Sequence, residues 1–111
     1  MNSFAPWQSD SLTRIEAALD SFLTLEAAPT LAPAMRNATL GGGKRIRALL
    51  CLATAQALAG QPEAALRAAC ALEMIHAYSL VHDDMPCMDN DSLRRCNLTV
   101  FLAWNEAIAL L

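Results

Sequence analysis

The stretch PEAALRAACALEMIHAYSLVHDD, Pro62 to Asp84, decides the fold class. It follows Gly60-Gln61, a tight helix–helix connection, with Pro62 suited to a first helical turn. Ala65, Ala69, Leu72, Met74, Ile75 and Leu80 supply apolar positions, and Pro86 disrupts the run. Many of its residues are small, so it can pack closely on several sides. A long central helix is predicted. The composition agrees: alanine and leucine fill 40 of the 111 positions, valine and isoleucine only six. That balance suits helices and excludes an all-β fold. The predicted fold is all-α, an antiparallel helical bundle within one domain's length, residues 1–111. At 55% hydrophobic and 17% charged the chain is not disordered, and four glycines with five prolines exclude collagen-like and low-complexity classes.

On the N-terminal side, Ser9 or Asp10 is expected to cap a first helix with Leu12, Ile15, Leu19, Phe22 and Leu23 on one face, ended by Pro29 and Pro33. Pro33 fits the first turn of a short second helix that closes at Leu40. Gly41-Gly42-Gly43 is the clearest break. A third helix is predicted from about Lys44 to Ala59, with Ile46, Leu49, Leu50, Ala53 and Ala57 as its apolar side. Beyond Pro86 a polar stretch, Asp89 to Asn97, precedes a last helix capped by Thr99. That helix is still apolar at Leu110 and Leu111, which reads as a helix cut in the middle.

The net charge of −3 gives no case for nucleic acid. Its distribution says more. Five of the eight basic residues lie in Lys44/Arg45/Arg47 and Arg94/Arg95, and four of the eleven acids lie between Asp83 and Asp91. Cys51, Cys70, Cys87 and Cys96 lack zinc-ligand spacing, and Cys51 and Cys70 read as small buried residues. No secretory signal is evident, and Ala48 to Gly60 is too short to span a bilayer, so a cytoplasmic protein without a membrane span is expected.

Three constellations bear chemistry. Asp83, Asp84, Asp89 and Asp91 lie at the end of an apolar helix. They form either a solvated acidic loop or a site for a hard divalent cation, which would relieve their repulsion. An EF-hand is excluded: the sixth position from Asp89 is Arg94 and the twelfth is Val100. Gly41-Gly42-Gly43-Lys44-Arg45-Ile46-Arg47 stands at a helix start. It is either a plain linker or an anion loop in which Lys44 and Arg47, three apart on one helix face, grip a phosphate group. It is no Walker loop, since Arg45 follows Lys44. Arg94-Arg95 either neutralises the acids or binds a second phosphate group. His76 shares a helix face with Asp83, about 10 Å away.

Together, Gly42-Gly43-Lys44-Arg45-Ile46-Arg47, the run Glu73 to Asp91 and Leu93-Arg94-Arg95 resemble the trans-isoprenyl diphosphate synthases, and among them the bacterial farnesyl diphosphate synthase (geranyltranstransferase) type. The resemblance covers about residue 10 onward, the N-terminal part of such a synthase. It implies an all-α fold around a deep cavity, a homo-oligomer, and Mg²⁺-dependent head-to-tail condensation of an allylic diphosphate, dimethylallyl or geranyl, with isopentenyl diphosphate. It implies that Asp83, Asp84 and Asp89 hold Mg²⁺ and that Arg94 contacts the allylic diphosphate. Lys44, Arg47, His76 and Arg95 are implied at the isopentenyl diphosphate site. Tyr78 and Ser79, just before the acids, are implied to line the tail pocket and set a farnesyl product.

The chain departs from the family pattern at Ala48, at Cys96-Asn97-Leu98 after the arginine pair, at Phe101-Leu102 and at Asn105. It stops before the family's second aspartate-rich motif, so the 111 residues alone are not expected to form a competent synthase. The alternative expectation is a non-catalytic helical subunit or assembly module that retains the fold.

Overall fold

The computed structural model describes residues 4–24, 29–94 and 97–110. In chain order the elements are α1 (Phe4–Phe22), α2 (Ala32–Leu40), α3 (Ile46–Ala57), α4 (Pro62–Asp84), β1 (Leu93–Arg94), β2 (Asn97–Leu98), α5 (Val100–Ala103) and α6 (Glu106–Leu110). The all-α expectation holds apart from one minimal hairpin, in which Leu93 pairs with Leu98 and Arg94 with Asn97. The helices divide into two compact units, and α4 contributes its first half to one and its second half to the other.

The first unit joins α1, α3 and α4 as far as Glu73. Ile15 and Leu19 of α1 are wholly buried, with Ala48, Leu49 and Leu52 of α3 and Ala65, Ala69 and Cys70 of α4 also in its core. The indole Nε1 of Trp7 donates to Gln56 Oε1 at 2.9 Å, fastening the start of α1 to the end of α3. Helix α1 begins at Phe4, well before the expected Ser9 or Asp10 cap. Pro6 stands in its first turn, where a missing N–H breaks no intrahelical bond. The helix ends at Phe22, before either proline. On α3 the expected apolar side is displaced: Ile46 and Leu50 are 54% and 62% exposed, whereas Ala48, Leu49 and Leu52 face inward.

The second unit joins α2, the rest of α4, the hairpin, α5 and α6. Ala34, Met85, Val100 and Ala109 form its core, with Ala38, Val81, Trp104 and Ile108 packed against them. Helix α2 follows the proline and glycine signals. Gly41 at its C-terminus is required sterically, because a Cβ there would stand 2.7 Å from the Asn37 carbonyl oxygen. Arg36 Nη1 donates to the Leu23 carbonyl at 2.7 Å, tying α2 to the segment before it. The single last helix expected after Thr99 is instead two short ones. Asn105 Oδ1 accepts from the Ile108 N–H at 2.8 Å and starts α6 afresh. Thr99 precedes α5 but spends its hydroxyl on the Asp91 carbonyl at 2.8 Å.

Helix α4 has the predicted bounds. Its buried side is the row Ala65, Ala69, Glu73 and Ala77 at four-residue spacing, whereas Leu72 and Ile75 are exposed. By length and composition α4 would also qualify to cross a membrane, but a buried ion pair at Glu73 interrupts its small-residue face.

Candidate functional site

The acidic turn belongs to the second unit and is built by the main chain. Helix α4 stops at Asp84, two residues before Pro86. The Met85 N–H still reaches the His82 carbonyl at 3.2 Å. The chain then doubles back. The Asp89 N–H donates to the Asp83 carbonyl at 2.7 Å, Asn90 N–H to Met85 at 3.0 Å and Asp91 N–H to Asp84 at 3.0 Å. These bonds satisfy carbonyls that a helix end leaves orphaned. Asn90 takes the left-handed conformation that completes the turn, φ 54°, which asparagine tolerates. Asp83 and Asp89 are thereby brought to the two ends of one backbone hydrogen bond. Asp83 is half-buried and Asp89 exposed.

Asp84 is 2% exposed and points away from solvent. Its Oδ2 accepts from Arg94 Nε at 2.8 Å and its Oδ1 from Arg94 Nη2 at 2.6 Å, a two-pronged pair. The hydrogen bonds it donates to Asp84 push the Arg94 guanidinium further above its ordinary range, outweighing its partial burial, with Asp91 and Asp83 adding to the effect. Arg94 sits on β1, which the Thr99 N–H, donating to the Ser92 carbonyl at 2.9 Å, helps close. Arg95 lies outside the described residues. Among those residues, no group of three His, Cys, Asp or Glu side chains is gathered as for a metal.

Further along α4, an apolar cavity of about 220 Å³ is lined by Met35, Ala38, Met74, Tyr78, Val81 and Ile108, among others. Tyr78 is 61% exposed, and its ring meets the His82 ring edge-on with centroids 4.5 Å apart. His82 Nε2 lies 3.2 Å from the Leu110 carbonyl oxygen. The Ser79 hydroxyl donates to the His76 carbonyl at 2.7 Å within the helix, so it is satisfied locally. His76 is half-buried.

The basic residues Lys44 and Arg47 belong to the first unit, and both are exposed. Lys44 is not on α3. It precedes Arg45, which caps the helix in the left-handed conformation (φ 59°, ψ 31°), so the expected shared helix face for Lys44 and Arg47 is not what relates them. Gly42 and Gly43 approach this turn with φ of 109° and 116°, values open to glycine. Arg45 turns inward: Nε donates to Glu16 Oε1 at 2.7 Å, Nη2 to Glu16 Oε2 at 3.3 Å and Nη1 to Glu73 Oε1 at 3.3 Å. Its burial opposes the charge, but the hydrogen bonds and fields of Glu16 and Glu73 outweigh that and raise its pKa. The Cys70 thiol nearby is pushed up by burial.

No motif points to Glu16, and Glu73, which opens the run that carries the resemblance, has no role assigned there. The signal was present at Glu73, which interrupts the small-residue row of α4 where a carboxylate needs a buried cation. The reading in which the arginine pair neutralises the acids is met at Arg94, although nothing local singles out Asp84, ten residues earlier, as the acid it takes.

The polyprenyl synthetase family profile matches residues 28–111. The chain is 44% identical over 108 residues to geranylgeranyl pyrophosphate synthase 4 of Arabidopsis thaliana, covering 97% of this chain and 29% of that protein. It is 46% identical over 98 residues to a dimethylallyltranstransferase of Fischerella ambigua, covering 88% of this chain and 28% of that one. Among solved structures, an FPP/GFPP synthase from Zymomonas mobilis superposes with a TM-score of 0.88 at 44% identity, covering 96% of this chain and 39% of that one. A geranyltransferase from Legionella pneumophila gives 0.90 at 35% identity, with 96% and 38% covered. The chain thus spans under a third of the length of these two curated relatives, one named a geranylgeranyl pyrophosphate synthase and the other a dimethylallyltranstransferase.

Proposed function

Since the chain belongs to the polyprenyl synthetase family, we propose that it supplies the acidic and basic binding elements of a prenyltransferase that joins an allylic diphosphate, dimethylallyl or geranyl, to isopentenyl diphosphate head to tail. The observation that carries this reading is the turn after α4. One 2.7 Å backbone bond holds Asp83 and Asp89 in register, and five residues later Arg94 is locked by two hydrogen bonds.

Mg²⁺ fits this donor set. Asp83 and Asp89 offer hard carboxylate oxygens, and the ion keeps several waters and takes substrate phosphate oxygens, so it needs no third protein ligand. When bound, it supplies positive charge against the negative charge gathering on the departing diphosphate. Asp84, with both oxygens on Arg94, is assigned to orienting that guanidinium rather than to the metal. Arg94 then keeps Nη1 for a phosphate oxygen and, like any arginine, is cationic at any working pH. Lys44 and Arg47, exposed beside the α3 N-terminus, are assigned to the diphosphate of isopentenyl diphosphate. The apolar cavity beside Tyr78 takes the hydrocarbon tail and keeps water from an allylic cation. Exposed Leu72 and Ile75 support assembly as a homo-oligomer.

Calorimetric titration of the chain with inorganic diphosphate and Mg²⁺ tests the reading. Asp83→Ala/Asp89→Ala is expected to weaken binding at least tenfold. Affinity equal to that of the unaltered chain overturns the reading, and a non-catalytic subunit that merely kept the fold would give that result.

The product is assigned to the fifteen-carbon class because the Tyr78 ring occupies the wall of the cavity about 7.5 Å down α4 from Asp83. In an active synthase carrying these residues, Tyr78→Ala is expected to shift the product to twenty carbons, read by chromatography. Unchanged length removes Tyr78 as the floor.

A further inference from the structure

Arg45 is the one basic residue of the glycine-rich loop that does not face solvent. Lys44 and Arg47 are exposed, whereas Arg45 is 5% exposed. It is also non-glycine in a left-handed conformation, a state that persists only where its surroundings over-determine it. Glu16 of α1 takes Nε and Nη2, and Glu73 of α4 takes Nη1. The Arg45 carbonyl accepts the first bond of α3, from the Leu49 N–H at 2.9 Å. One side chain therefore ties the loop to two other helices at the residue where the chain turns into α3. Burying the Arg45 and Glu73 charges is costly even with Glu16 half-exposed, and a hydrophobic replacement for that pair would hold the same space at least as stably. Stability alone does not account for the arrangement. What the ion cluster adds is a fixed direction for the turn.

We propose that Arg45 is a positioning residue: clamped by Glu16 and Glu73 in a left-handed turn, it fixes the backbone from which Lys44 and Arg47 reach a diphosphate. This rests on the assignment of Lys44 and Arg47 made above. The Lys44 and Arg47 side chains are long and flexible, and each loses rotamer freedom on gripping a phosphate group. Fixing the backbone between them spares the further cost of ordering the loop at the moment of binding.

The test is calorimetric titration of the chain with inorganic diphosphate, alongside thermal unfolding. Arg45→Met/Glu73→Leu removes one positive and one negative charge, so net charge is unchanged and overall attraction to the anion is preserved. It is expected to unfold at the same temperature as the unaltered chain or higher, yet to bind diphosphate about tenfold more weakly. Arg45→Lys keeps the charge but not the fork, and is expected to fall between the two. Glu16→Gln, at a half-exposed position, makes the chain more positive, so charge alone would tighten binding. A three- to fivefold weakening is expected instead, and this variant decides the matter if the double variant does not fold. Diphosphate affinity within twofold of the unaltered chain in the double variant, or in Glu16→Gln, overturns the proposal. Lys44→Ala/Arg47→Ala separates the two readings: full affinity there overturns the assignment of the site itself and the proposal with it.

Discussion

Arg94→Met is expected to destabilise the protein by about 3 kcal/mol, measured by denaturant unfolding. Arg94 itself is a third exposed, so its own loss costs little. The cost comes from its partner, because Asp84 is almost fully buried and its carboxylate would keep neither of its two hydrogen bonds. Removing both charges in Asp84→Leu/Arg94→Met is expected to recover most of that loss, since an apolar pair of similar volume need not be desolvated as ions. Diphosphate binding should stay impaired in the double variant even though the fold is restored. A loss below about 1 kcal/mol in Arg94→Met would mean that Asp84 finds another donor, and would remove the positioning role assigned to it.

Leu19→Ala is expected to cost about 3 kcal/mol and to lower the unfolding temperature by roughly 15 °C. Leu19 is wholly buried between α1 and its neighbours in the first unit, where a truncated side chain leaves a cavity. Leu50→Ala, on a leucine that is 62% exposed, is expected to change stability by less than about 0.5 kcal/mol. Thermal melts of the two variants side by side check both. Equal effects would show that the inward face of α3 is not Ala48, Leu49 and Leu52.

That contrast marks where sequence reading succeeds and where it stops. Helix α2, the glycine break and both ends of α4 were legible because Pro33, Gly41, Pro62 and Pro86 constrain the backbone locally, whatever surrounds them. Ile15 and Leu19 were legible because α1 carries polar residues on its other side. Helix α3 offered no such contrast. It is apolar nearly all round, from Ile46 through Leu52, so no period selects the face that packs. The N-terminus of α1 was placed too late because Pro6 was not weighed as a first-turn residue, and the break at Asn105 was missed although asparagine is a strong helix cap. At the candidate site, the spacing pointed to Arg94 as a partner of the acids but not to which acid it takes. That Asp84 would face inward onto Arg94 depends on a turn closed by backbone hydrogen bonds, and no residue within it announces its partner. Spacing set Lys44 and Arg47 apart from Arg45, but what holds Arg45 inward was not legible, since Glu16 and Glu73 lie 29 and 28 residues away along the chain.

The turn after α4 has a consequence for how this stretch can vary. The carbonyls of Asp83, Asp84 and Met85 are matched to the amides of Asp89, Asp91 and Asn90, groups that every residue but proline possesses. Pro86, Cys87 and Met88 lie between them and are exposed. The loop is therefore counted rather than spelled. Past Pro86, its two outer letters are open to exchange by drift, while the gain or loss of a single letter would put the two acids out of step, however faithfully the remaining text were copied.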